Sequence, residues 1–221
     1  MTETTGAPQP FIFHTERRLV ALTGLRAYNL QQLMAILAEV PGSSIFYHTH
    51  HQFLSHHFQK PVVYNDFARW VSTALLEEAL AEKLSAIDLR AFTSLRQLRE
   101  ALLAEMAAHL KTSDAYSPNC RPGHEFHFCK SKSFIMPTGL VARDVADFFA
   151  KLPRVSNISI YFHFLEARLR LARPLNDFSL WLSSLGAKDV AEAIDSLDPY
   201  VLTLDELKQH ILEEGRQNGT G

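Results

Sequence analysis

The chain has 221 residues, 47% of them hydrophobic and 21% charged, and this composition excludes a disordered or fibrous protein. The chain has 22 Lys and Arg residues and 24 Asp and Glu residues, and the formal net charge of -2 indicates neither a nucleic-acid nor a membrane partner. The sequence has no signal-like apolar segment at its start, no run of about 18 apolar residues and two cysteines, so we expect a cytoplasmic protein without a membrane span.

The first half of the chain predicts one short strand and five helices. Aromatic alternation in Phe11 to His14 is typical of a strand. Asn29 is a good N-cap and precedes apolar residues at i, i+3, i+4 and i+7, so a helix is predicted from Leu30. Further helices are predicted from Ser43 or Ser44, from Asn65-Asp66, over Leu80 to Ile87, and from Thr93 or Ser94 to about Leu110.

The second half of the chain repeats this pattern. Residues 112–125 have the composition of a linker, a second short strand is predicted over Phe126 to Cys129, and a helix follows the N-cap Asp144. Thr23 to His48 matches Thr138 to His163 at an offset of 115, with ten identities in 26 positions. At an offset of 111, Asn-Asp-Phe-x-x-Trp recurs, at residues 65–70 and 176–181.

The repeated pattern predicts a fold class. We expect a mainly α protein, an internal duplication of a helical unit of about 100 residues with a short strand at the start of each copy. The predicted copies are residues 11–111 and 126–214, joined by the linker 112–125 and related by a pseudo-twofold axis. Trp70 and Trp181 are predicted to anchor the core of each copy.

The chain has eleven histidines, which raise the hypothesis of a metal site. His48 and His51 share one face of a predicted helix, and the equivalent face of the second copy carries His163 and Glu166. Imidazole and carboxylate groups suit Fe, Mn or Zn, so these four residues are predicted to bind one divalent transition metal. The alternatives are that they form ordinary solvated faces or line a pocket that binds something else.

A second candidate site lies in the strand that opens the second copy. Alternation places Glu125, His127 and Cys129 on one face of this strand and two Phe rings on the other. Lys130 or Lys132 near Cys129 would favour the thiolate, so His127, Cys129 and Lys130 are candidates for cofactor binding. The alternative is that Cys129 is a small buried hydrophobe.

Other polar motifs receive a structural interpretation. Asp66 and Asp177 follow the predicted N-caps Asn65 and Asn176, where a carboxylate suits the helix dipole, so we do not interpret them as catalytic. The Thr-Gly pairs at 23–24 and 138–139 are interpreted as turn and cap residues. No P-loop, dinucleotide fingerprint or Gly-x-Ser-x-Gly motif occurs, so no nucleotide cofactor is expected.

Four sequence motifs resemble those of a prokaryotic family of unknown function. They are Phe46-Tyr47-His48-Thr49-His50-His51, Asn65-Asp66-Phe67-Ala68-Arg69-Trp70, Glu125-Phe126-His127-Phe128-Cys129-Lys130-Ser131 and Leu197-Asp198-Pro199-Tyr200. The resemblance covers almost the whole chain and implies no catalytic activity. Members are often encoded near glycosyltransferases of trehalose or glycogen type, so the resemblance implies a link to carbohydrate metabolism.

Two classes of function follow from the sequence. In the first, the protein binds a metal or a small ligand, with or without a metal-dependent reaction. In the second, it is a helical interaction or regulatory module with no chemistry of its own, linked to carbohydrate metabolism. The expected partner is accordingly a small molecule or another protein, and the oligomeric state is left open.

Overall fold

Each half of the chain begins with a long strand and continues as a series of helices. The computed structural model describes residues 9–55, 65–112, 118–199 and 201–218. Strands β1 (Phe11–Ala27) and β2 (Phe126–Ala142) pair in an antiparallel two-stranded sheet. None of the helices in these ranges is long and apolar enough to cross a membrane.

The helices between the two strands are short except for the last. They are α1 (Leu30–Glu39), α2 (Gly42–Ser55), α3 (Asp66–Trp70) with a π-helical turn (Val71–Leu75), α4 (Glu78–Ser85), a 3-10 turn (Leu89–Ala91) and α5 (Leu95–Thr112).

The helices after β2 follow a similar order. They are α6 (Val145–Lys151) with a 3-10 turn (Leu152–Arg154), α7 (Asn157–Ile160) with a π-helical turn (Tyr161–Glu166), α8 (Ala167–Leu171), α9 (Asp177–Ser184), α10 (Lys188–Ser196) and α11 (Leu204–Asn218).

Four helix starts have the caps that the sequence predicts. The side chains of Asn29, Asn65, Asp144 and Asn176 each accept a backbone N–H from the residue three positions later. Each bond satisfies one of the N–H groups that a helix leaves unpaired at its start. The predicted N-caps are confirmed.

The chain forms two compact units. We call the first the Cys129 unit; among the described residues it comprises 18–55, 65–112 and 118–133. We call the second the His163 unit; among the described residues it comprises 9–17, 134–199 and 201–218. Each strand therefore belongs to one unit in its first part and to the other unit in its second part.

In each unit, the aromatic side chains of one strand segment pack against the helices. In the Cys129 unit, Phe126 stacks on Phe67 with ring centroids 5.2 Å apart, and Phe128 is 1% exposed. In the His163 unit, Phe13 stacks on Phe148 at 5.3 Å and is fully buried. Both predicted strands thus supply core aromatics, although each packs on helices of the other half of the sequence.

The predicted fold class is wrong. The protein is not a duplicated, mainly α unit with a short strand at the start of each copy; it is a mixed α/β protein with two strands of 17 residues. The strands were underestimated because residues 19–22 of β1 and 134–139 of β2 are exposed on both faces, so they carry no alternating pattern. The Thr-Gly pairs also lie within the strands and not in turns.

The predicted domain boundaries do not coincide with the compact units. Residues 11–17 join the His163 unit and 126–133 join the Cys129 unit, because their buried Phe side chains pack there. The copies 11–111 and 126–214 stay a prediction about the sequence. Within the predicted linker 112–125, residues 113–117 lie outside the described ranges.

Candidate functional site

The candidate site lies in the Cys129 unit and is organised by His48 on α2. This side chain is 3% exposed. Its Nε2 accepts the backbone N–H of Cys129 at 2.9 Å, and its Nδ1 lies 2.9 Å from Oδ2 of Asp66. Because a backbone N–H can only donate, Nε2 is unprotonated and the proton is on Nδ1, which donates to Asp66. The ring is therefore held as one neutral tautomer.

We call His48 and Asp66 the His48–Asp66 dyad. Neighbouring polar groups fix the helices and the strand around this dyad. Asn65 caps α3 and so places Asp66 in the first helical turn. Ser44 on α2 donates its hydroxyl to the carbonyl of Cys129 at 2.6 Å, and Trp70 donates Nε1–H to the carbonyl of His124 at 2.6 Å. Both backbone groups of Cys129 are thus bonded to side chains of α2, which holds the strand on that helix.

A pocket of about 280 Å³ opens beside the dyad, and we call it the Tyr47 pocket. Helices contribute one part of its wall and the strand with its preceding loop the other. The lining residues are Tyr47, His48, Asp66, Arg69, Trp70, Thr73, Glu125, Phe126, His127 and Cys129.

The charged groups of the Tyr47 pocket have hydrogen-bonding or ionic partners within the protein. Arg69 forms an ion pair with Asp66, and its side chain is 55% exposed, so the guanidinium reaches solvent. Glu125 accepts the backbone N–H of Gly123, and bonds from its own N–H and that of Gly123 lower the pKa of this carboxyl. The lowered pKa keeps Glu125 a carboxylate at neutral pH.

The Tyr47 phenol and the Cys129 thiol of the pocket stay neutral at physiological pH. Burial, together with the charge of Asp66 and the neighbouring thiol, raises the pKa of Tyr47. Burial and the charge of Asp66 also raise the pKa of Cys129, which a hydrogen bond with Tyr47 only partly offsets. Both groups therefore act as neutral hydrogen-bonding partners and not as anions.

The His163 unit contains the same arrangement, in which a buried histidine links a strand N–H to an aspartate. We call each of these two arrangements a clamp. Nε2 of His163 accepts the backbone N–H of His14 at 2.8 Å, and Nδ1 lies 2.7 Å from Oδ2 of Asp177. Ser159 donates to the carbonyl of His14, and Trp181 donates Nε1–H to the carbonyl of Gln9 at 2.8 Å. Each contact has its counterpart in the Cys129 unit, so the two histidines have the same structural role.

The surroundings of the second clamp differ in chemistry. Phe162 stands at the position that matches Tyr47, and His14 at the position that matches Cys129. The guanidinium of Arg170 lies 4.5 Å from the ring centre of Phe162 and donates to Asp177 at 2.6 Å. The phenol and the thiol of the Tyr47 pocket are therefore specific to the Cys129 unit.

The four predicted metal ligands do not form a ligand cluster. His48 and His51 belong to the Cys129 unit, and His163 and Glu166 to the His163 unit. Both ring nitrogens of His48 and of His163 are used in hydrogen bonds to protein atoms. Among the residues that the structure describes, no group of three or more His, Cys, Asp or Glu side chains could hold a metal ion. The structure thus gives the metal hypothesis no support.

The candidates for cofactor binding fall in two groups. His127 and Cys129 line the Tyr47 pocket together with Glu125, on the strand face that the alternation predicts. Lys130 is exposed and does not line it. Burial and the charge of Asp66 raise the pKa of Cys129, which disfavours the thiolate. Binding of a cofactor by these three residues stays a prediction.

Tyr47 and the role of the two aspartates were not predicted from the sequence. Asp66 and Asp177 are first-turn residues as predicted, but each also fixes the tautomer of a buried histidine. A signal was available, because a His and an Asp recur together in both halves of the sequence.

Of the two tryptophans, Trp70 is 8% exposed and Trp181 is half-buried, so the prediction of core anchors is confirmed for Trp70 only.

Comparison with known proteins gives one structural relative and one family. The solved structure of OrfY from Thermoproteus tenax superposes with a TM-score of 0.83 and 29% sequence identity, over 97% of this chain and 98% of that chain. No curated protein matches the chain. A model of the family of unknown function DUF5752 matches residues 8–214. The resemblance to a family of unknown function is confirmed, and the chain belongs to the DUF5752 family.

Proposed function

We propose that this protein binds a small hydroxylated molecule, of the monosaccharide or polyol class, in the Tyr47 pocket. The observation that supports the proposal most is the mixture of donors and acceptors around this one cavity. Arg69 can only donate, the carboxylate of Glu125 can only accept, and the Tyr47 hydroxyl can do both. Sugar hydroxyl groups also donate and accept hydrogen bonds, so they can pair with both the donors and the acceptors of the pocket lining.

Size and apolar surface agree with this ligand class. At about 280 Å³ the cavity lies near the lower end of ligand pockets, which span about 300 to 1,000 Å³. Trp70 and Phe126 contribute aromatic surface to the lining, against which the apolar face of a sugar ring packs. The link to carbohydrate metabolism that the family resemblance implies points in the same direction.

Binding fits the geometry better than catalysis by the His48–Asp66 dyad does. A general base needs a free ring nitrogen, and Nε2 of His48 already accepts the N–H of Cys129. A cysteine nucleophile needs a thiolate, and the raised pKa of Cys129 works against one. The dyad therefore supports the pocket wall and does not activate a substrate.

Calorimetric titration with a panel of hexoses, disaccharides and polyols tests the proposal. We expect saturable binding by at least one member, weakened roughly five- to tenfold by Tyr47→Phe, since one hydrogen bond contributes about 1 kcal/mol. Tyr47→Phe introduces the residue found at the matching position 162, so the fold should tolerate it. Ser184→Ala, in the His163 unit, is the matched control. Absence of binding across the panel, or equal affinity in Tyr47→Phe, contradicts the proposal.

A further inference from the structure

The second part of β1 is an exposed apolar strand in the Cys129 unit. We call Leu19–Arg26 the outer segment. Its large apolar side chains face solvent, with exposed fractions of 63% for Leu19, 46% for Val20, 75% for Leu22 and 45% for Leu25. In the described part of the chain the sheet has two strands, so the outer segment pairs with a strand on one edge only.

An exposed apolar edge strand is a template for pairing with another strand, and proteins usually block such edges with Pro or charge. The His163 unit has such a block. There the matching part of β2, residues 134–141, contains Pro137, which has no N–H to donate. Leu22 stands at the matching position of the outer segment, so the outer segment lacks this block.

The two strand segments have the same register against their neighbours. Thr23 Oγ1 donates to the carbonyl of Phe128 at 2.7 Å, and Thr138 Oγ1 donates to that of Phe13 at 2.8 Å. The glycine after each Thr has φ of 81°. The matched Thr contacts therefore give Leu22 the same register against β2 that Pro137 has against β1.

The charge of the surrounding strands indicates the chemistry of the partner. Within Arg18–Ala27 and Glu125–Ser133 one carboxylate, that of Glu125 near Arg26, stands against four cations, which are Arg18, Arg26, Lys130 and Lys132. A second copy would meet this surface with the same net positive charge, and like charges across a strand pair destabilise it. An acidic partner has no such penalty.

We propose that the outer segment binds an extended, apolar segment of another protein with Asp or Glu at its flanks, which adds a third strand to the sheet. Backbone bonds along the open edge hold the segment, and the apolar side chains of the outer segment cover its alternate residues. Arg26 and Lys130 lie at exposed positions where they attract the acidic flanks.

The test uses two fluorescent peptides and the full-length protein. One peptide has about eight alternating Val and Thr residues flanked by Glu, and the other carries Lys in place of Glu. By fluorescence anisotropy we expect the Glu peptide to bind at least about tenfold tighter than the Lys peptide, with an affinity that falls as salt rises. Hydrogen exchange should slow in residues 19–26 on binding.

Two variants and a matched control localise the effect. Leu22→Pro copies the residue at position 137, and Val20→Asp places a negative charge at an exposed site, where it repels the Glu flanks; each should weaken binding by about tenfold or more. Ile135→Asp changes the matching exposed position of the His163 unit and should leave binding unchanged. Circular dichroism of each variant reports whether the fold is kept.

Other outcomes overturn the proposal. Equal binding of both peptides, or none by either, rejects an acidic strand partner. A dimer detected by sedimentation and abolished by Val20→Asp would make the outer segment a contact between two copies. Binding to phosphatidylglycerol vesicles that Leu22→Pro leaves intact would assign the segment to a membrane surface, because a lipid needs no open strand edge.

Discussion

His48 on α2 accepts the backbone N–H of Cys129, at 2.9 Å, while donating its own N–H to Asp66. One side chain thus holds a strand, and its partner carboxylate ties α2 to α3. His163 has the same relation to His14 and Asp177. The strand segments that supply core phenylalanines are therefore fixed to the helices by buried polar contacts as well as by packing.

Removal of either histidine should destabilise the protein. His48→Ala leaves a backbone N–H of the strand without its acceptor and creates a cavity, so we expect the free energy of unfolding to fall by about 2 to 4 kcal/mol. His163→Ala should have an effect of similar size. Urea titration of each variant gives the difference. His210→Ala, whose side chain is 47% exposed, should change stability by less than about 0.5 kcal/mol, and an equally small loss for His48→Ala would contradict the clamp.

The buried histidines should make the fold sensitive to acid. Burial and the charge of Arg18 lower the pKa of His50 to about 3, and burial lowers that of His163 although Asp177 opposes the shift. In the unfolded chain both titrate near 6.5, so below that pH the unfolded chain binds protons that the folded chain does not. The stabilisation is complete above about pH 6.5 and is lost progressively as the pH falls, down to about 3 for His50.

Urea titrations at about pH 7.5 and about pH 5 measure this effect. His50→Leu, which introduces the residue found at the matching position 165, removes the largest contribution. Its stability should therefore change less between the two pH values than that of the unaltered protein. Parallel pH profiles for the two proteins would show that His50 does not carry the effect.

Local signals in the sequence predicted the helix starts and the strand faces. Asn65 and Asn176 act within one helical turn, and the alternation from Glu125 to Cys129 repeats every second residue, so neither depends on the rest of the fold. The length of the strands could not be predicted in this way. Their exposed parts have no buried face, and the pairing of β1 with β2 joins residues more than a hundred positions apart.

The metal hypothesis failed to gain support for a related reason. A helical projection groups His48 with His51 but contains nothing about the strand that packs on α2. That strand supplies the N–H that occupies Nε2 of His48, and α3 supplies the acceptor for Nδ1. The sequence shows which residues could be ligands and how they are spaced. It does not show that the ring nitrogens are already hydrogen-bonded, because those bonds come from tertiary contacts.

The hydrogen-bonded state of these histidines leads to a prediction on metal content. Binding of Zn²⁺ by His48 or His163 would require breaking a buried bond to the strand, so we expect tag-free protein to carry far less than one metal per chain. Added Zn²⁺ should likewise leave the thermal midpoint unchanged. Stoichiometric metal by mass spectrometry that is lost in His48→Ala would restore the metal hypothesis.

The Cys129 thiol provides a direct probe of the Tyr47 pocket. Burial and the charge of Asp66 raise its pKa, while the hydrogen bond with Tyr47 lowers it. In a Cys120→Ser background, alkylation by iodoacetamide should therefore have its pH midpoint above the ordinary value of about 8.5. Tyr47→Phe should raise this midpoint further, because the thiolate loses its hydrogen-bond donor. A midpoint below about 8.5 would mean that the thiolate is stabilised and would reopen cofactor binding or nucleophilic chemistry at Cys129.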